Sequence, residues 1–99
     1  MTGLFRGLSA FPITPASSDG RADIAALNRL LDRLAESGVD SLGLLGSTGS
    51  YAYLSVDERK RVAEAAAQRI RDRVPLIVGV GALRTDHAQD LARHAADIG

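Results

Sequence analysis

Four consecutive residues, Gly46-Ser47-Thr48-Gly49, offer the plainest chemistry in this 99-residue chain. Two adjacent hydroxyls both donate and accept hydrogen bonds, and the flanking glycines let a ligand come close to backbone N–H groups. That combination suits a carboxylate or a phosphate without needing a charged side chain. Taken locally, the same tetrapeptide also describes a tight turn, in which Gly supplies the unusual φ and Ser or Thr bonds the nearby backbone. The single lysine, Lys60, lies in Asp57-Glu58-Arg59-Lys60-Arg61. An amine nucleophile needs a pocket that lowers its pKa, whereas a charge run of this kind belongs on a solvated outer face. Tyr51 and Tyr53 are expected as packing or pocket-rim residues. His87 and His94 are seven apart, so on a helix they stand ~10 Å from each other along the axis. That is too far to share one metal, and both are read as surface residues. Gly79-Val80-Gly81-Ala82-Leu83-Arg84 begins like a dinucleotide fingerprint but has Arg84 where the third glycine belongs, and no Walker lysine follows a glycine loop. Neither a metal nor a cofactor is implied.

The elements that must position these residues follow from periodicity. Leu8 to Ile13 is a short apolar run that reads as a buried strand, with Pro12 near its end or at an irregularity because it lacks a donor. Ala16 to Gly20 is a loop rich in turn formers. Ile24, Leu27, Leu30, Leu31 and Leu34 then mark one face of an amphipathic helix over Ala22 to Ser37, stopped by Gly38. Val39 to Leu45 is a second strand, closed by the Gly46–Gly49 segment. Ser55 and Glu58 fit a capping box for a second helix running to about Arg73. Its core face holds Val62, Ala66 and Ile70, and its polar positions include Arg59, Lys60 and Arg69. Val74 to Gly81 has the continuous apolar character of a parallel strand buried on both faces. Thr85 is the expected N-cap of a third helix with Ala88, Leu91, Ala92, Ala95 and Ile98 as its apolar stripe.

The order β-α-β-α-β-α implies parallel strands joined by right-handed crossovers. A closed (β/α)8 barrel and an open doubly wound sheet both begin this way, and neither is complete with three strands. The chain is therefore expected to be part of a longer protein. In a parallel α/β fold, ligands gather at the C-terminal ends of the strands, which is where Gly46–Gly49 falls.

Composition narrows the classes further. Twelve basic and twelve acidic residues cancel, leaving none of the positive excess of a nucleic-acid binder. The absence of cysteine excludes a disulfide framework, a thiolate metal site and a cysteine nucleophile. No apolar run reaches the ~20 residues that span a bilayer, so no membrane partner is expected. The first fifteen residues do not read as a secretory signal, and a cytoplasmic location is expected.

The succession of motifs resembles the N-terminal part of the dihydrodipicolinate synthase and N-acetylneuraminate lyase family. It comprises Thr14-Pro15 after strand one, the Asp19-Gly20 turn, Gly46-Ser47-Thr48-Gly49, Leu54-Ser55 with Glu58-Arg59, and Pro75 to Gly81. The likeness covers essentially residues 7–99. It implies an α/β fold, a TIM (β/α)8 barrel, of which this chain holds about the first three β/α units as the N-terminal portion of a single domain. It further implies a lyase or synthase that binds pyruvate or a related 2-keto acid as a Schiff base on a lysine beyond residue 99, with no cofactor. The full-length protein is expected to be a homodimer or homotetramer, and residues 1–99 alone to be inactive. Carried onto this sequence, Thr48 becomes a donor to the keto-acid carboxylate. Ser47 becomes a second donor or a member of a proton relay, and Gly49 allows close backbone approach. Two features depart from the common pattern. Ser50 stands where the family usually has Glu, and Tyr51-Ala52-Tyr53 follows it. Phe11-Pro12-Ile13-Thr14 is similar to the keto-deoxy sugar-acid dehydratase branch, which is one alternative. A non-enzymatic flavodoxin-like module that binds anions is the other.

Overall fold

The computed structural model of the chain describes residues 6–70 and 72–99. Three strands, β1 (Ser9–Ala10), β2 (Ser41–Leu44) and β3 (Leu76–Val78), alternate with three helices, α1 (Ile24–Glu36), α2 (Val56–Ile70) and α3 (Thr85–Asp97). A short 3-10 turn, Tyr51–Tyr53, precedes α2. The strands are parallel in the order β1-β2-β3, with Ser9 opposite Ser41 and Leu42, Gly43 and Leu44 opposite Leu76, Ile77 and Val78. A flavodoxin-like sheet would have β1 in the middle. Here β2 is central, so that alternative does not describe this chain. Sequential neighbours, with α2 packed on both α1 and α3, are the arrangement of three β/α units in a (β/α)8 barrel.

Side chains alternate across a strand, so the register sorts the sheet into two faces. Leu42 and Leu44 join Leu27 and Leu31 of α1 and Val62, Ala66 and Ile70 of α2 in one core, with Leu76 and Val78 packed against it. Burying a leucine of this kind contributes about 2 kcal/mol, so this helix-facing layer supplies most of the cohesion. The opposite face carries Gly43, whose missing side chain is replaced by the ring of Phe11. A Cβ on Gly43 would lie 2.2 Å from Phe11 Cε2.

The elements are shorter than their apolar runs. The first strand keeps two residues of the expected six, because the chain leaves the ladder before Pro12, which has no N–H to contribute. Its entry is fixed instead by Asp40, which accepts from Leu8 N at 2.7 Å and whose own N–H bonds the Leu8 carbonyl. Helix α1 begins two residues later than Ala22. Asp23 is the N-cap, accepting from Ala26 N at 3.1 Å, while Ala22 is held in an antiparallel bridge to Ala16. Gly38, at φ +89°, ends the helix as expected. Helix α2 stops at Ile70 rather than Arg73, its carbonyl there taking both Arg73 N and Val74 N. Strand β3 is half-buried rather than enclosed on both faces. Thr85 is the first residue of α3, and Arg84 is its N-cap with no side-chain capping bond. On α3, Leu91 is buried as expected but Ala92 is exposed. No helix among the described residues is long and apolar enough to cross a membrane.

Candidate active site

Strand β2 ends in an unusual turn. Leu45 and Ser50 both adopt left-handed backbone, at φ 60° and 59°, and they bracket the Gly46–Gly49 segment. For a non-glycine residue this conformation costs roughly 1–2 kcal/mol, so surrounding contacts must enforce it. Burial does so for Leu45, which is 2% exposed within the core cluster. Ser50 N donates to the Ser47 carbonyl at 3.1 Å, closing the loop on itself. Gly49 is buried, and a Cβ there would lie 2.9 Å from Leu45 N. Glycine is therefore required at this position by the loop's own closure as well as by any approach of a ligand.

This leaves Ser47 and Thr48 exposed immediately beyond the C-terminal end of β2. Beside them on the same rim is the exit of β3, where Gly79 N donates to the Leu44 carbonyl at 2.8 Å. Phe11, more than half exposed, lies against Gly43 and reaches to within 3.9 Å of where a Cβ on Gly46 would stand. Two exposed hydroxyl-bearing residues thus follow a strand end that an aromatic ring flanks.

Arg59 lies beneath this rim and was not anticipated. Sequence placed it among the polar positions of α2, yet it is only 4% exposed. Its Nη1 donates to the Gly81 carbonyl at 2.7 Å and its Nη2 to the Gly79 carbonyl at 3.0 Å. The guanidinium carbon sits 5.1 Å from the centroid of the Tyr51 ring, a cation–π distance. Burial pushes the guanidinium pKa down, and the nearby Tyr51 hydroxyl partly offsets this. No spacing signal in the sequence links Arg59 to carbonyls 20 and 22 residues away. Tyr51 is half-buried against the core, as expected of a packing residue, whereas Tyr53 is exposed on the rim of a shallow cleft beside Asp19 and Glu58.

Lys60 does not approach the rim. Its Nζ pairs with Asp90 of α3 at 2.7 Å, in the helical layer outside the sheet. The two histidines separate: His94 is partly buried against Glu64 at 2.7 Å, rather than a free surface residue, while His87 lines a cleft with Tyr51 and Arg59.

Glu58 fulfils half of the capping box. Ser55 Oγ accepts from Glu58 N at 3.1 Å. The carboxylate, however, turns away to accept from Ala22 N at 2.8 Å and to pair with Arg61, whose Nη2 also bonds the Ala22 carbonyl. Glu58 thereby ties the β1–α1 connection to the first turn of α2. Hydrogen bonds from Arg61, then from the Ala22 amide, hold its carboxyl at about 2, below the ordinary value of 4.5. A depressed folded-state pKa contributes stability above the unfolded value and loses it as pH falls through the folded one. The wild-type protein is therefore expected to melt above a Glu58→Gln variant at neutral pH. The gap should close as pH falls from 4.5 to about 2 in a series of thermal melts. A gap independent of pH would mean the carboxylate charge contributes nothing.

The frame is shared with known proteins. The chain is 42% identical over 96 residues to the 4-hydroxy-tetrahydrodipicolinate synthase of Salinibacter ruber, covering 97% of this chain and 32% of that protein. It superposes on a crystal structure of dihydrodipicolinate synthase from Agrobacterium tumefaciens with a TM-score of 0.91 and 56% identity, over 96% of this chain and 32% of that one. A prophage protein of the dihydrodipicolinic acid synthase family from E. coli K12, solved in complex with pyruvate, gives a TM-score of 0.91 at 34% identity. That superposition covers 98% of this chain and 33% of the prophage protein. The chain thus spans about a third of the length of the relatives it matches. Residues 4–99 match the Dihydrodipicolinate synthetase family as a whole, and to that family the chain belongs.

Proposed function

We propose that residues 1–99 are the N-terminal portion of a single (β/α)8 barrel domain in a lyase or synthase acting on pyruvate or a related 2-keto acid. The observation that carries this is the exposed Ser47–Thr48 pair at the C-terminal rim of β2, in a frame that superposes on a pyruvate-bound family member. Thr48 donates its hydroxyl to the substrate carboxylate. Ser47 serves as a second donor or passes a proton, since a hydroxyl can give and accept in the same step. Gly49 keeps the backbone close to both.

The carbonyl carbon of the substrate is attacked by a lysine amine, water leaves, and an imine forms, as the family resemblance implies. Lys60 is not that amine: it is paired with Asp90 in the helical layer. The nucleophile belongs to a position outside residues 1–99, in a full-length protein that is a cytoplasmic homo-oligomer on this reading. A second reading, a keto-deoxy sugar-acid dehydratase, rests on the Phe11-Pro12-Ile13-Thr14 sequence alone.

Trapping tests the chemistry. The full-length protein carrying this sequence, incubated with pyruvate and borohydride, should gain the mass of a reduced adduct on one lysine other than Lys60. Absence of an adduct with every 2-keto acid tried would remove the Schiff-base mechanism. An adduct on Lys60 would reassign the site. Turnover of keto-deoxy sugar acids in preference to pyruvate-dependent condensation would select the second reading.

A further inference from the structure

We propose that Arg59 is a positioning residue for the Ser47–Thr48 loop, one guanidinium bracing the exit of β3 and the ring of Tyr51 together against the turn that presents the two hydroxyls. The inference rests on the function proposed for that loop. It follows from what converges on this one side chain. The Nη1 and Nη2 groups bond the carbonyls of Gly81 and Gly79 at 2.7 and 3.0 Å, a pairing from two separate nitrogens that a planar fork pre-organises and a single ammonium nitrogen does not. Gly79 in turn bonds Leu44 through its N–H, and its Cα packs so tightly on Leu45 that a Cβ would stand 2.5 Å from the Leu45 carbonyl oxygen. Leu45 is the first of the two left-handed residues that set the loop. The second, Ser50, leads directly into Tyr51, the ring on which the guanidinium rests.

Both ends of the loop are thus gripped through Arg59: one by way of β3, the other by way of Tyr51. The two left-handed residues need such enforcement, because nothing in Leu or Ser favours that backbone. A buried arginine bonding two main-chain carbonyls and facing an aromatic ring adds rigidity to the mouth without touching the ligand. Its Nε is buried with no hydrogen-bond partner among the described residues. The side chain is therefore held for what its two terminal nitrogens do.

The test uses the full-length protein carrying this sequence and compares Arg59→Lys with Asp32→Asn. Lysine keeps the charge and loses the fork. Asp32 bonds Arg69 and Arg73 at the other end of α2, at 2.5 and 2.7 Å, so its loss weakens the fold without touching the rim. With pyruvate, Arg59→Lys should raise KM about tenfold while still forming the borohydride adduct, since KM does not depend on how much protein is folded. Asp32→Asn should lower Tm and leave KM where it was. A KM for Arg59→Lys within about twofold of wild type, or an equal KM change in both variants, overturns the proposal. If the unsubstituted protein forms no adduct with any 2-keto acid, the function reading falls separately and amide exchange decides on Arg59. Arg59→Lys should then speed exchange at Gly79 and Ser50 about tenfold while Leu31 of α1 stays protected. Unchanged exchange at Gly79 and Ser50 overturns the brace.

Discussion

Thr48→Val is expected to raise the KM for pyruvate by about 10- to 100-fold with little change in kcat, and Ser47→Ala to lower kcat by about 100-fold or more. Valine keeps the shape of threonine and removes only the hydroxyl. The lost interaction is then one hydrogen bond to a charged carboxylate, about 1.5–3 kcal/mol, felt in the bound ground state and the transition state alike. Ser47 differs if it relays a proton, because its hydroxyl then matters only while the proton moves, and kcat falls instead. Both side chains are exposed, so neither substitution leaves a cavity. Melting temperatures should stay near wild type, which separates a chemical effect from a folding one. Steady-state kinetics of the single variants, with Ser47→Thr as the conservative control, supplies the measurement. Full activity in Thr48→Val and Ser47→Ala would remove the hydroxyl pair from the mechanism, whatever the family resemblance implies.

The position of that pair was legible in the sequence because it depends on local order alone. A strand closed by Gly46 must deliver the next residues to one edge of a parallel sheet, and Val39–Leu45 is apolar enough to be recognised as that strand. The α1 stop at Gly38 and the Ser55 cap were legible for the same reason. What escaped depends on partners distant in the chain. Arg59 looks like one more charge in a solvated run, because its acceptors, the carbonyls of Gly79 and Gly81, carry no mark in the amino-acid types. Glu58 has the spacing of a capping box, yet its carboxylate finds the Ala22 amide 36 residues back. Strand limits escaped for a second reason. Apolar character measures burial, but a strand lasts only as long as its neighbour pairs with it. Pro12 and the left-handed Leu45 end that pairing inside runs that remain apolar.

Gly79 and Gly81 offer the sharpest contrast in the fold, since the same methyl group added two residues apart should have opposite consequences. Neither glycine has the positive φ that forbids a side chain, so only the surroundings decide. At Gly79 a Cβ would stand 2.5 Å from the Leu45 carbonyl oxygen, 3.1 Å from its carbon and 3.4 Å from the Leu44 oxygen. All three are backbone atoms and cannot rotate aside. Alanine there must push β2 and β3 apart, stretching the Gly79–Leu44 hydrogen bond and moving one of the two carbonyls that Arg59 holds. Gly79→Ala is expected to cost about 3 kcal/mol or more, the upper range for overpacking. At Gly81 the nearest atom is Tyr51 Cε2 at 4.0 Å, an ordinary contact. Gly81→Ala should be neutral or stabilising by up to about 1 kcal/mol, through the restricted unfolded chain. Denaturant unfolding of the two variants beside the parent measures both, and the loss in Gly79→Ala should be accompanied by weaker pyruvate binding. A Gly79→Ala protein as stable as Gly81→Ala would mean that the two strand exits are not in contact, and the rigid mouth on which Ser47 and Thr48 depend would lose its basis.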